Sequence, residues 1–139
     1  MALTVLIDTN VLLDDLLIRE PHAEDSRRVV NECRSGRLIG VIAAHSVSNM
    51  FYIMRKTHTV EERRMLLRAL CDMFLVEGID REKLCGALED DAFPDFEDSL
   101  QEKCAVARAA DYLVTWNVRD FAASQVPVLT PSELLKLLE

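Results

Sequence analysis

Five short apolar runs, Leu3–Ile7, Leu38–Ala43, 74–76, 112–115 and 126–129, punctuate the chain, and most of the sequence between them carries the spacing of helices. Runs of this length, rich in Val, Ile and Leu and bounded by polar residues, predict buried strands. Strands that alternate with helices predict an α/β fold, in which a parallel sheet is covered on both faces by its crossover helices.

The helical segments are marked at their ends. Pro21 and His22 open a polar helix that runs to Arg34, and Ser35-Gly36 closes it in the manner of a C-terminal cap. Ser46 stands where it would cap a helix whose Val47, Met50, Phe51 and Met54 share one face. Thr59 with Glu62 forms a capping-box pattern ahead of a helix to Met73, and Asp80 is placed to cap a short helix through Leu88. Thr130-Pro131-Ser132-Glu133 combines a Thr cap, Pro at the first helical position and Glu at the third. Another helix opens at Asp95, with Phe96, Leu100, Cys104 and Ala107 as its apolar stripe. Met50, Met54, Met65 and Met73 are expected to fill the core. The acidic segment 89–95, bounded by Pro94, is expected to be a mobile loop.

Composition narrows the class. A chain of 139 residues, half of them hydrophobic, with neither repeat nor linker, reads as a single domain over 1–139. No apolar stretch is long enough to span a bilayer, and no basic region precedes Leu3–Ile7 as in a signal peptide, so a cytoplasmic location and no membrane partner are expected. Cys33, Cys71, Cys85 and Cys104 are scattered and are expected as reduced thiols. The net charge of -8 argues against a passive nucleic-acid coat, which needs Lys and Arg against phosphate, but it does not argue against a nuclease.

The candidate chemistry lies in oxygen-bearing side chains at element ends. Asp8-Thr9-Asn10 follows the first apolar run directly, and in an open α/β sheet the C-terminal strand ends are where ligands bind. Asp95 and Asp98 are three residues apart at a helix start, and Asp98 lies about 200° around the helix from Leu100. The bland alternative is that Asp95 is only an N-cap and Asp98 only complements the helix dipole. Thr115-Trp116-Asn117, followed by Asp120, repeats after the fourth run what Asp8-Thr9-Asn10 does after the first. Two carboxylates about 4 Å apart repel by roughly 4 kcal/mol at an effective dielectric of 20, so such a cluster binds a cation or raises a pKa. Carboxylate, amide and water oxygens without His or Cys suit Mg²⁺ or Mn²⁺.

Asp8-Thr9-Asn10-Val11-Leu12, the segment 46–56, Asp95-Phe96-Glu97-Asp98-Ser99-Leu100, Tyr112-Leu113-Val114-Thr115-Trp116-Asn117 with Asp120-Phe121, and Val126-Pro127-Val128-Leu129-Thr130-Pro131 occur in an order that covers nearly the whole chain. Together they resemble a PIN domain (PilT N-terminal nuclease), in the branch of toxin components of type II toxin-antitoxin pairs. The resemblance implies a three-layer α/β/α sandwich with a five-stranded parallel sheet and metal-dependent phosphodiester hydrolysis, usually of RNA. It puts the first family acid on Asp8, the central acid on Asp98 and the last metal-side position on Asn117. The remaining family acid, a Glu, falls on Asn49. An Asn can ligate a cation or hold a water, but it contributes no charge and cannot serve as a general base.

In the nuclease reading Asp8 and Asp98 bind Mg²⁺ or Mn²⁺ directly, while Asp95, Asn49 and Asn117 position outer waters. Thr9 and Thr115 orient ligands, Asn10 belongs to the same strand-end motif, and Asp120 ties down the loop after Asn117. Arg55 and Lys56 are the candidates for holding substrate phosphate, weighed evenly against an ordinary solvated helix end. Implied partners are an RNA substrate, an antitoxin blocking the acidic crevice and a possible second copy of the chain, with Leu12, Leu16, Leu17, Phe51 and Tyr52 as apolar residues that would line such contacts, most of them equally well explained as core. The alternative is a degenerate domain that binds RNA or protein without cutting, on the strength of Asn49. Phosphoryl transfer through Asp8 is disfavoured, because the second Asp that chemistry needs two residues on is Asn10.

Overall fold

The structure, a computed structural model, describes residues 2–139. Strands β1 (Leu3–Ile7), β2 (Leu38–Ala43), β3 (Leu75–Glu77), β4 (Tyr112–Val114) and β5 (Val128–Leu129) form one sheet in the order β3-β2-β1-β4-β5, and every pairing is parallel. The helices are α1 (Thr9–Leu16), α2 (Ala23–Arg34), α3 (Ala44–Ile53), α4 (Val60–Met73), α5 (Arg81–Glu89), α6 (Phe96–Ala107) and α7 (Pro131–Leu138). The expected α/β/α sandwich with a five-stranded parallel sheet is therefore the fold observed.

Side-chain alternation on the central strands builds a core on each face. Val5, Ile7, Ile42 and Val114 join Val11, Leu12, Val29, Met50, Leu67 and Leu134 in the larger core, beneath α1, α2, α3, α4 and α7. Leu6, Val41, Ala43 and Leu113 face the other way and pack with Cys104, Ala105, Phe93 and Phe121 on the α6 side. Burial on both faces explains why β1 and β2 read as unbroken apolar runs rather than as polar–apolar alternation. Gly40 marks the tightest point. A Cβ there would lie 2.5 Å from Phe74 Cδ1 and 2.9 Å from Cys33 Sγ.

From β1 the chain steps outward through β2 to β3, then crosses back to place β4 on the other side of β1. Connections leave β1 and β4 in opposite directions, so a crevice opens outside their C-terminal ends. Asp8 and the 115–117 segment stand at that opening because they immediately follow β1 and β4.

Most boundary signals hold. Gly36 takes φ +85° behind α2, Thr59 and Thr130 each complete a capping box, and the Asp80 side chain accepts from the Lys83 amide. Several expectations are corrected. Ser46 does not cap α3, which starts at Ala44 straight out of β2, and Ser46 is buried inside the helix. The third strand begins at Leu75, because Phe74 is the C-cap of α4 and turns into the core. The last two strands shrink to Tyr112–Val114 and Val128–Leu129. Phe96 and Ala107 are exposed, leaving Leu100 and Cys104 with Ala105 as the buried apolar side of α6. Met65 is exposed on the outer face of α4, whereas Met50 and Met54 are fully buried and Met73 packs at the core margin.

The acidic segment before α6 is pinned rather than loose. Phe93 is buried edge-on against Phe121, and Asp90 pairs with Lys103 at 2.7 Å. Cys33 and Cys104 are buried and all four cysteines are free. Among the described residues no helix is long and apolar enough to cross a membrane.

Candidate active site

β1 ends at Ile7 and α1 begins at Thr9, so Asp8 is the single residue that turns the chain from one to the other. Its side chain does not cap α1 and is 2 % exposed. Both carboxylate oxygens have donors: Gln101 Nε2 reaches Oδ1 at 2.9 Å, and Thr115 Oγ1 reaches Oδ2 at 2.8 Å. The buried carboxylate is therefore hydrogen-bonded on both oxygens. Burial still pushes the Asp8 carboxyl above its ordinary range, opposed by the Gln101 and Thr115 bonds and by the Asn10 and Thr9 amides.

Asp8 anchors a buried polar network. The Thr9 amide donates to Gln101 Oε1 at 3.1 Å, and the Thr9 hydroxyl lies 2.7 Å from Ser46 Oγ and 3.3 Å from Gln101 Oε1. The Asn117 amide donates to Thr115 Oγ1 at 2.9 Å, which orients that hydroxyl toward Asp8. Gln101 bridges β1 to α6 with both ends of its amide satisfied, as a fully buried amide requires. The sequence reading missed it. The available signal was position: Gln101 follows Asp98 by three residues, on the same helix face.

Asp98 lies in the first turn of α6, partly buried. Its carboxyl is pushed up to about 7, first by burial and then by the charges of Asp8, Asp95 and Asp120, with Gln101 working in the opposite direction. Asp95 is the N-cap of α6, its Oδ1 accepting from the Asp98 amide at 3.0 Å, and it also lines the crevice. Cap and acidic neighbour are therefore both descriptions of Asp95. At Asp120 the loop is closed by the backbone, whose amide donates to Asn117 O at 3.0 Å, while the side chain stands on the crevice wall.

One crevice brings together Asp8, Thr9, Asn10, Asn49, Asp95, Asp98, Asn117 and Asp120 from the sequence-based set, with Glu97, Gln101, Tyr52 and Ile53 added. Thr115 lies beneath it, fully buried. Asn10 is held at the lip by Arg19, whose Nη2 reaches Asn10 O at 3.1 Å while its Nε binds Asp14 at 2.9 Å. Asn49 Nδ2 donates to Glu97 Oε2 at 2.9 Å, a pairing that sequence spacing could not reveal because 48 residues separate the two.

The basic candidates stand outside. Neither Arg55 nor Lys56 lines the crevice, although the Arg55 guanidinium sits 3.7 Å over the ring of Tyr52, which does. Trp116 also turns away, stacked on His22 at 3.9 Å with its indole N–H donating to Ser26 Oγ. Of the apolar residues expected at a partner surface, Leu12 is buried, Leu16, Leu17 and Phe51 pack partly against the core, and Tyr52 is 62 % exposed.

Five carboxylates and no Lys or Arg face this crevice. Among the described residues no three acid, imidazole or thiol groups converge tightly enough to enclose an ion by themselves. A hard divalent cation fits the donors that are present, since Mg²⁺ commonly takes one or two carboxylates and keeps several waters. Asp8 and Asp98 are the two that could supply that pair, and a cation there would offset the acidic charges that, after burial, push the Asp98 carboxyl up.

The comparisons agree with this architecture. The chain is similar over 91–93 % of its length to three solved structures. DNA-bound VapBC from Salmonella typhimurium has 17% identity, a TM-score of 0.69 and 98% of that chain covered; VapBC2 from Rickettsia felis, bound to a promoter fragment, has 14%, 0.69 and 98%. A toxin-antitoxin complex from Klebsiella pneumoniae has 20%, 0.68 and 97%. No curated protein matches the sequence. The PIN domain family model matches residues 4–119, which span β1 to the turn after β4 and every residue of the acidic crevice except Asp120, and the chain belongs to the PIN domain family.

Proposed function

We propose that this PIN domain is a divalent-metal-dependent endoribonuclease and the toxin of a toxin-antitoxin pair. The observation that carries the reading is the meeting of Asp8 and Asp98 in one crevice at the sheet's switch point, with no basic side chain among its lining residues to neutralise them. One of the three solved relatives is a toxin-antitoxin complex by name, which supports an antitoxin as the partner here.

Asp8 and Asp98 would hold Mg²⁺ or Mn²⁺, which when bound activates water and stabilises charge on the scissile phosphate. Gln101 and Thr115 fix the Asp8 carboxylate, so that it is pre-organised and cannot rotate toward solvent. Asp95 holds the first turn of α6 and thereby the backbone that carries Asp98. Asn10, Asn117 and Asp120 line the wall where polar substrate atoms and waters would lie. Arg55, over the crevice-lining Tyr52, is a candidate to meet a substrate phosphate beyond the acidic floor, and Lys56 follows it in the same exposed turn.

The test is cleavage of single-stranded RNA with Mn²⁺ or Mg²⁺. Cleavage that stops with chelator and is abolished by Asp98→Asn supports the proposal; activity indifferent to both refutes it. A second reading, a domain that binds RNA or protein without cutting, draws on the neutral Asn49 at the family's Glu position. It is favoured if the parent is inactive and Asn49→Glu gains cleavage.

A further inference from the structure

The family pattern leaves this chain one acid short at Asn49, yet a carboxylate stands beside that amide. Glu97 Oε2 lies 2.9 Å from Asn49 Nδ2, and both residues line the crevice. A Glu side chain is one methylene longer than Asn, so a carboxylate carried on α3 at 49 would reach about 1.5 Å further, into the space that the Glu97 carboxylate occupies. The acid is present, but it is delivered from α6.

A second contact fixes Glu97 independently. His45 Nε2 lies 3.1 Å from Glu97 O. A carbonyl can only accept, so this ring nitrogen carries the proton and donates. His45 and Asn49 are four residues apart on α3, which places them one above the other on the same helix face. One grips the Glu97 backbone and the other its side chain, and together they clamp the first turn of α6 against α3. Asn49 has a positive task here: a Glu at 49 would repel Glu97, whereas the amide donates to it.

Resting on the nuclease reading above, we propose that Glu97 serves as the third working acid of the crevice, giving its carboxylate to the outer shell of the divalent cation, with Asn49 as its positioning residue. The residue pair thus performs with two side chains what a single Glu on α3 performs in the family pattern.

Calorimetric titration of the purified chain with Mn²⁺ tests this without depending on activity. Glu97→Gln is expected to weaken Mn²⁺ binding roughly 10-fold or more, the usual effect of removing an outer-shell partner. Because Glu97 is exposed, its thermal unfolding temperature in chelator is expected to be unchanged. Asn49→Ala is expected to weaken binding in the same direction and to add nothing further in the Glu97→Gln background. The charge-conserving swap, Asn49→Glu with Glu97→Gln, returns a carboxylate–amide pair with its roles reversed and is expected to restore most of the affinity. If Asp98→Asn loses Mn²⁺ binding while Glu97→Gln keeps it, the inference about Glu97 is overturned and the nuclease reading stands. If the parent itself does not bind Mn²⁺, both fall.

Discussion

Asp98→Asn in metal-free protein is a direct probe of how crowded the crevice is. The Asp98 carboxyl rises from 3.8 to about 7, because burial and the charges of Asp8, Asp95 and Asp120 all oppose its ionisation. In the unfolded chain it titrates at its ordinary value, so between about pH 4 and pH 7 the folded state holds a proton that the unfolded state has released. Stability therefore falls as pH rises through that window, and above pH 7 the whole penalty is present. At full strength the rise corresponds to about 4 kcal/mol. Solvent reaches this half-buried group and screens it, which reduces the expected penalty to about 1–2 kcal/mol. Asparagine, never charged, escapes it. Urea unfolding in chelator is expected to show Asp98→Asn more stable than the parent by that amount at pH 7.5, with the advantage shrinking to a few tenths at pH 4. Saturating Mn²⁺ should reverse the order, since a ligand at 100 times its Kd adds about 2.7 kcal/mol to the protein that binds it. A variant no more stable than the parent at pH 7.5, or an advantage that does not change with pH, would refute the reasoning.

Two further substitutions test the frame around the crevice. Gln101→Ala removes the donor to Asp8 Oδ1 and the acceptor for the Thr9 amide, and is expected to cost about 1–3 kcal/mol in denaturant unfolding together with weaker Mn²⁺ binding; a neutral effect on both would show that the bridge is dispensable. Gly40→Ala drives a methyl group into Phe74 and Cys33, and is expected to cost about 1–3 kcal/mol, most of it recovered when Phe74→Leu makes room.

The parts of the fold that rest on local chemistry were legible in the sequence. β1 and β2 carry apolar runs that match their observed ends, and the capping boxes at Thr59 and Thr130 are built from residues three apart. Failures came where tertiary contact overrode the local signal. Ser46 has the chemistry of a cap, but its hydroxyl is taken by Thr9, 37 residues earlier. Phe96 has the chemistry of a core residue, yet it sits at the solvent side of the turn that presents Asp98. The acidic positions were visible because strand ends and helix starts announce themselves. Gln101 and the Asn49–Glu97 pair were not, because a neutral amide shows its importance only through the partner it meets across the fold.

The two donors that complete Asp8 lie 93 and 107 residues further along the chain, on α6 and just beyond β4. During synthesis the first strand leaves the ribosome long before either of them exists, and a nascent chain cut short before Tyr112 lacks both Thr115 and the β4 strand that pairs with β1. Closing loops of that length is entropically slow compared with local helix formation. The crevice is consequently completed only after the α6 and β4 segments have been made and have closed back onto the first strand, so a fragment that stops short of them carries Asp8 without its two donors.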